Sequence, residues 1–336
     1  MASVNHDRSA GPQLALGLHN WAVEDPLDWS FLFDRAVAAD RAGFDQLVVS
    51  DHVVFGENLE AYASGALGGR DGGKQPTGPE GHWLEPMTVL SVIAGMTSQV
   101  RLSTGILLAA LRRPVVLAKT AATLDVLSHG RLDLGVGIGW QKEEYDAAGL
   151  EFSQRGRLLD HTLDVCQRLW RDAPASYDGG DLHFERIHCV PRPVDPAGVP
   201  IWVSGTLNRA VLERVARFGS GWIPWGALTA DPTPGIEPVR QALRDVGRDP
   251  SALKIRANLV AETTSDGRVD LGATLAPVPR LYDAGVTHFQ LSLAVPRRRE
   301  LAFEYLSDVV ATFRRAAGYP AGEGRTVRVR SSTATS

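Results

Sequence analysis

Apolar residues recur along this chain in two alternating rhythms. Short compact runs alternate with longer segments whose apolar positions repeat at helical spacing. The compact runs at 13–18, 45–50, 100–108, 131–136, 200–203, 221–224, 254–259 and 286–291 read as buried strands. Segments 29–42, 84–97, 114–127, 153–170, 207–217, 239–246, 277–284 and 298–316 read as helices. Gly43 sits where a C′ glycine ends the first helix, and Pro86 falls in the tolerated first turn of the second. Strict strand–helix alternation predicts a parallel sheet, and eight such units close a barrel. An open doubly wound sheet needs a boundary near the middle of the chain, and the sequence offers none.

The predicted architecture is therefore α/β, a TIM (β/α)8 barrel over residues 13–318. Two insertions interrupt the rhythm, one after strand two and one after helix four. Residues 52–83 are glycine-rich and aperiodic, and a loop so long inside a compact domain reads as a functional lid. Residues 174–193 read as a hairpin turning at Asp178-Gly179-Gly180-Asp181. The polar stretches 1–12 and 319–336 are expected to be disordered.

Composition narrows the class. The chain has 336 residues, 44% hydrophobic and 22% charged, as in an ordinary soluble enzyme with a sizeable core. A net charge of −4 gives no electrostatic reason to expect nucleic acid or an anionic membrane. The N-terminal stretch has no apolar signal core, and no run approaches a membrane span, so a cytoplasmic protein is expected. Cys166 and Cys189 are expected as free thiols in a reducing compartment. No carboxylate/His cluster has metal-ligand spacing.

In a barrel, chemistry gathers at the C-terminal strand ends. Those ends collect His19, Trp21, Asp51, His52, Thr104, Gly105, Ile106, Ser204, Gly205, Thr206, Trp222, Trp225, Asn258 and Gln290. His52, between a strand and the long loop, is the candidate for proton chemistry, because imidazole is easily tuned near neutral pH. The fourth strand runs into Gly135, Gly137 and Gly139, then Trp140 and an acidic segment from Gln141. Bare backbone there suits close approach of a phosphate or a flat ring. A dinucleotide fingerprint needs a glycine where Trp140 stands. Ser204-Gly205-Thr206 precede a helix, which suits either an anion or an ordinary N-cap. Trp21, Trp140 and Trp222 fall where they could shape an apolar pocket.

With these residues placed, the chain resembles the luciferase-like flavin and deazaflavin oxidoreductases, most of all their coenzyme F420-dependent branch. The resemblance rests on Ser50-Asp51-His52, on residues 101–160 around LSHGRLDLGVGIGWQKEEY, on PIWVSGTLNRA at 200–210 and on GSGWIPW at 219–225. It implies a dimeric barrel that binds F420, or alternatively FMN, in its mouth and acts on a small organic substrate. His52 would stand near the reactive centre, with Asp51 beside it. Thr104, Gly105 and Ile106 would match the bulge that carries a non-proline cis peptide in F420 members. Gly137, Gly139 and Trp140 would line the ring, Ser204, Gly205 and Thr206 would hold the phosphate, and Trp222 would border the pocket. Two departures speak against a sugar phosphate. Trp140 stands where the glucose-6-phosphate dehydrogenases carry an acidic glutamate, and residues 53–57 lack the tryptophan that accompanies their histidine. Hydride transfer between F420 and an alcohol, ketone or activated double bond is the expected activity. An FMNH2-dependent monooxygenase is the alternative, and a non-catalytic binding barrel comes third.

Overall fold

The structure, a computed structural model, describes residues 11–318. The expectations for the N-terminal stretch and the tail fall mostly on residues 1–10 and 319–336, outside the described residues. Eight parallel strands close into a barrel in chain order: β1 (Gln13–Gly17), β2 (Gln46–Val49), β3 (Arg101–Thr104), β4 (Leu132–Val136), β5 (Ile201–Gly205), β6 (Gly221–Pro224), β7 (Lys254–Asn258) and β8 (His288–Ser292). Closure is made by β1, whose Leu16 stands opposite Leu47 of β2 on one side and Leu291 of β8 on the other. The fold is the expected TIM barrel.

The helices are α1 (Ser30–Ala42), α2 (Pro86–Met96), α3 (Pro114–Leu127), α4 (Lys142–Ala147), α5 (Arg155–Arg171), α6 (Arg209–Phe218), α7 (Thr233–Asp245), α8 (Leu271–Leu275), α9 (Val278–Asp283) and α10 (Arg299–Ala316). Their ends follow local chemistry. Gly43 closes α1 at φ 92°, its N–H donating to the carbonyls of Ala39 and Asp40. Glu85 caps α2 by accepting from the Thr88 N–H, with Pro86 in the first turn. The apolar faces of α1 (Leu32, Ala36, Ala39) and α5 (Leu159, Leu163, Cys166) join the outward side chains of β1 and β4 in one core. Both cysteines are free, and burial pushes the Cys166 thiol well up.

The 174–193 hairpin is present, as strands Ala175–Gly179 and Leu182–Ile187 about Gly180 at φ 62°. Three features differ from the expectation. Strand three stops at Thr104, because the chain bulges at a cis Gly105–Ile106 peptide and rejoins the sheet only at Leu107, opposite Val136. Helices α4 and α8 are additional short turns. Trp21–Ala22 pairs antiparallel with His82–Trp83, tying the far end of the long insertion back to the end of β1. A two-residue ladder leaves no periodicity to read.

The barrel interior carries charge. Asp133 of β4 accepts from Arg101 (2.6 and 2.8 Å) and from the carboxamide of Gln46 (2.8 Å). Burial is tolerable here because every one of these contacts is a hydrogen bond to an ion.

Candidate active site

The strand ends open into a cavity of about 420 Å³, lined among others by Asp51, His52, Gly105, Ile106, Gly137, Gly139, Trp140, Ser204, Gly205 and Thr206. His52 follows β2, and Glu144, in the first turn of α4, reaches across to it. Nδ1 of His52 lies 3.3 Å from Glu144 Oε1, an oxygen that also accepts the Val53 N–H at 2.7 Å. The Glu144 side chain is 0% exposed, and its Oε2 has no hydrogen-bond partner among the described residues. A carboxylate only accepts, so hydrogen-bond geometry assigns the His52 proton to Nδ1. Nε2 then faces the carboxamide of Gln75, 2.9 Å away on the long insertion.

Aromatic rings enclose this histidine. Phe55 and Trp83 stand 4.4 and 4.8 Å from its ring centroid, Trp140 stands 5.9 Å away, and Trp21 stacks on Trp83. A tryptophan does stand beside the histidine, Trp83, but it comes from the other end of the insertion. Glu144 stands four residues after Trp140, inside α4, and brings a carboxylate to the histidine. Asp51 is spent on structure: its carboxylate accepts the Leu108 N–H at 2.8 Å and Arg112 at 2.6 Å. Burial pushes that carboxyl up against the opposing pull of Arg112.

The glycines divide into two roles. A side chain at Gly135 would begin 2.0 Å from the Thr104 carbonyl, so this glycine serves strand packing and stays out of the cavity wall. Gly137 and Gly139 do line the cavity. A side chain there would strike Ile106 or Leu108 at 2.8 Å, and Gly139 has φ +70°.

Two expected residues do not reach the cavity. The Thr104 hydroxyl turns into the sheet and donates to the Gly135 carbonyl at 2.6 Å. Trp222 points the other way along β6, because side chains alternate and its neighbour Ile223 takes the inward place. Its indole packs on Gly235 of α7 instead.

The end of the cavity away from His52 is polar. Ser204, Gly205, Thr206 and Asn208 line it beside Arg155 and Arg214. Asn208 is the N-cap of α6, accepting the Val211 N–H at 3.0 Å. The Ser204 and Thr206 hydroxyls are therefore not spent on capping. Arg214 pairs with Asp160 at 2.6 Å, whereas Arg155 lies over the Phe152 ring, and burial lowers its pKa. The floor holds Arg256, Asn258 and Gln290. Among the described residues no group of three or more His, Cys, Asp or Glu is placed to hold a metal ion.

Sequence reasoning missed Glu144, Gln75, Trp83 and Arg256. None left a periodic signal: Trp140 precedes α4 and the extended Gln141 separates it from Glu144, so their four-residue spacing is not a helical one.

A profile of the luciferase-like monooxygenase family matches residues 14–266. The chain belongs to that family. It spans about half the length, 49%, of curated mycobacterial relatives to which it is 36% identical over 140 residues. It is 29% identical over 286 residues to the F420-dependent glucose-6-phosphate dehydrogenase of Segniliparus rotundus, covering 82% of this chain and 76% of that one. Among solved luciferase-like structures, an F420-dependent secondary alcohol dehydrogenase with an F420-acetone adduct superposes with a TM-score of 0.68 at 17% identity, covering 90% and 99%. The FMN complex of the oxygenating constituent of 3,6-diketocamphane monooxygenase from Pseudomonas putida gives 0.68 at 14%, covering 92% and 100%. These two likenesses concern the fold.

Proposed function

We propose that this protein is an oxidoreductase that uses F420 to exchange a hydride with a small neutral organic substrate, an alcohol/ketone pair or an activated double bond. One observation carries the reading. A histidine held between Glu144 and Gln75 shares a single cavity with a hydroxyl- and cation-lined end at the start of α6. The lining suits a cofactor made of a flat ring and a phosphate. Gly137 and Gly139 offer bare backbone, and Ser204, Gly205, Thr206 and Asn208 stand at the positive end of a helix dipole with Arg155 near. F420, when bound, supplies or takes the hydride.

The protein moves the proton. Glu144 fixes the orientation of His52 and leaves Nε2 as the nitrogen that exchanges a proton with substrate oxygen. Gln75 gives up that nitrogen when substrate enters. Phe55, Trp83 and Trp140 exclude water, which strengthens each hydrogen bond to a developing alkoxide.

We also propose a homodimer that meets through α2 and α3. Their exposed positions include Val92, Met96, Val116 and Leu127, with Lys119 as a charged exception.

The decisive experiment titrates F420 beside FMN and assays alcohols and ketones without oxygen. Tight F420 binding with anaerobic turnover supports the reading. FMN binding with turnover that stops without oxygen replaces it with an FMNH2-dependent monooxygenase, and a protein that binds neither cofactor sinks both.

A further inference from the structure

Arg256 is a cation sealed into the floor of the cavity. It belongs to β7, is 1% exposed and lines the same space as His52. Its described hydrogen bonds run to neutral acceptors. Nη2 donates to Gln46 Oε1 at 2.7 Å and Ser103 Oγ at 3.1 Å, and Nη1 reaches Gln290 Oε1 only at 3.3 Å. Nε has no partner among the described residues. The negative charge it feels is that of Asp133, one side chain away through Gln46, and Asp133 is already held by Arg101. The guanidinium carbon lies 5.0 Å from the Trp202 ring.

A buried cation without a direct counter-ion is costly unless something else brings the charge. Burial pulls the Arg256 pKa down to about 10, which leaves it charged at neutral pH. Nη1 stands 3.5 Å from where a side chain on Gly105 would begin, beside the cis Gly105–Ile106 wall. Its neighbours on the floor, Asn258 and Gln290, carry planar carboxamides. Both Nη2 protons are spent, so Arg256 offers an Nη1 N–H beside planar amides, which suits an acceptor on the edge of a flat heterocycle. The polar end at α6 serves the tetrahedral group, so the two anionic parts of one ligand have separate partners.

We propose that Arg256 recognises the negative charge of the cofactor ring, so that the cavity holds an anionic ring more tightly than a neutral one. This rests on the reading that a deazaflavin or flavin binds here. Residues on three other strands, Gln46, Ser103 and Gln290, hold the guanidinium in place before the ring arrives.

The test compares wild-type protein with Arg256→Met, Arg256→Lys and Arg256→Gln in anaerobic titrations. The probes are oxidised FMN, dithionite-reduced FMN, and F420 followed by absorbance across pH. Met and Gln should weaken binding of the anionic ring by about 10- to 100-fold, while the neutral ring changes by no more than about threefold. Bound F420 should lose its ring proton at a pH about one unit or more higher in these variants. Lysine should restore most of the preference. Circular dichroism verifies folding, and the Gln and Lys variants decide the matter if the Met variant does not fold. Equal weakening of anionic and neutral rings overturns the proposal while leaving the cofactor reading intact. Wild-type protein that binds neither F420 nor FMN overturns both.

Discussion

Nδ1 of His52 lies 3.3 Å from Oε1 of Glu144, and that oxygen also takes the N–H of Val53, the first residue of the long insertion. One buried carboxylate therefore orients the candidate acid–base group and anchors the root of the loop above it. Glu144→Gln keeps the shape and an acceptor oxygen but removes the charge. Turnover should fall by about 10-fold or more, with melting temperature and cofactor Kd little changed, since orientation and charge at the histidine are worth that much. His52→Ala should cut turnover by about 100-fold and leave cofactor binding within a few-fold. Steady-state kinetics beside cofactor titration reads both, and full activity in the His52 variant removes it from the mechanism.

Gly68 of the insertion, at φ +97°, sits so close to the strand-four turn that a side chain would begin 2.7 Å from the Gly139 carbonyl. Gly68→Ala should lift the loop. Limited proteolysis within residues 53–82 should accelerate, and KM for substrate should rise about 10-fold, while barrel stability drops by no more than about 1 kcal/mol. Unchanged proteolysis would show that the loop is not seated through this contact.

Trp222 packs outward on Gly235, away from the cavity. Trp222→Ala should cost about 3–5 kcal/mol of stability, as large core truncations do. Denaturant unfolding and cofactor titration separate the roles. Weakened cofactor binding at unchanged stability would return Trp222 to the site.

His19 stacks on Trp21, and burial, assisted by Arg35, lowers its pKa. The folded protein takes up this proton less readily than the unfolded chain. The contribution to stability is therefore complete above about pH 6.5 and is lost as pH falls below it. Thermal melts between pH 7.5 and 5.5 should lose less in His19→Gln than in wild-type protein, and identical slopes would exclude His19 as a source of acid sensitivity.

The barrel was legible in the sequence because each of its strands is a compact apolar run and each large helix repeats at its own period. Residues 114–127 and 221–224 were bounded as α3 and β6 stand. Legibility ended where partners come from distant segments. His52 was readable from its place after a strand, but Gln75 and Trp83 meet it only once residues 53–82 have folded back, and Glu144 only once the barrel brings α4 beside β2. Trp222 was misplaced because proximity to a strand end does not say which side of the strand a side chain takes. Gly135 looked like Gly137 and Gly139 until the Thr104 carbonyl beside it was seen.

The insertion is fastened at several points to groups at both ends of the cavity. Trp225 donates to the Gly69 carbonyl at 2.7 Å, Arg155 to that of Leu67 at 3.3 Å, and Gln141 exchanges hydrogen bonds with Val54 and Gly56. These bonds keep the insertion seated along one side of a half-open cavity. Breaking these bonds would therefore speed ligand release, and each exchange of cofactor or product would pass a loop that covers part of the way out.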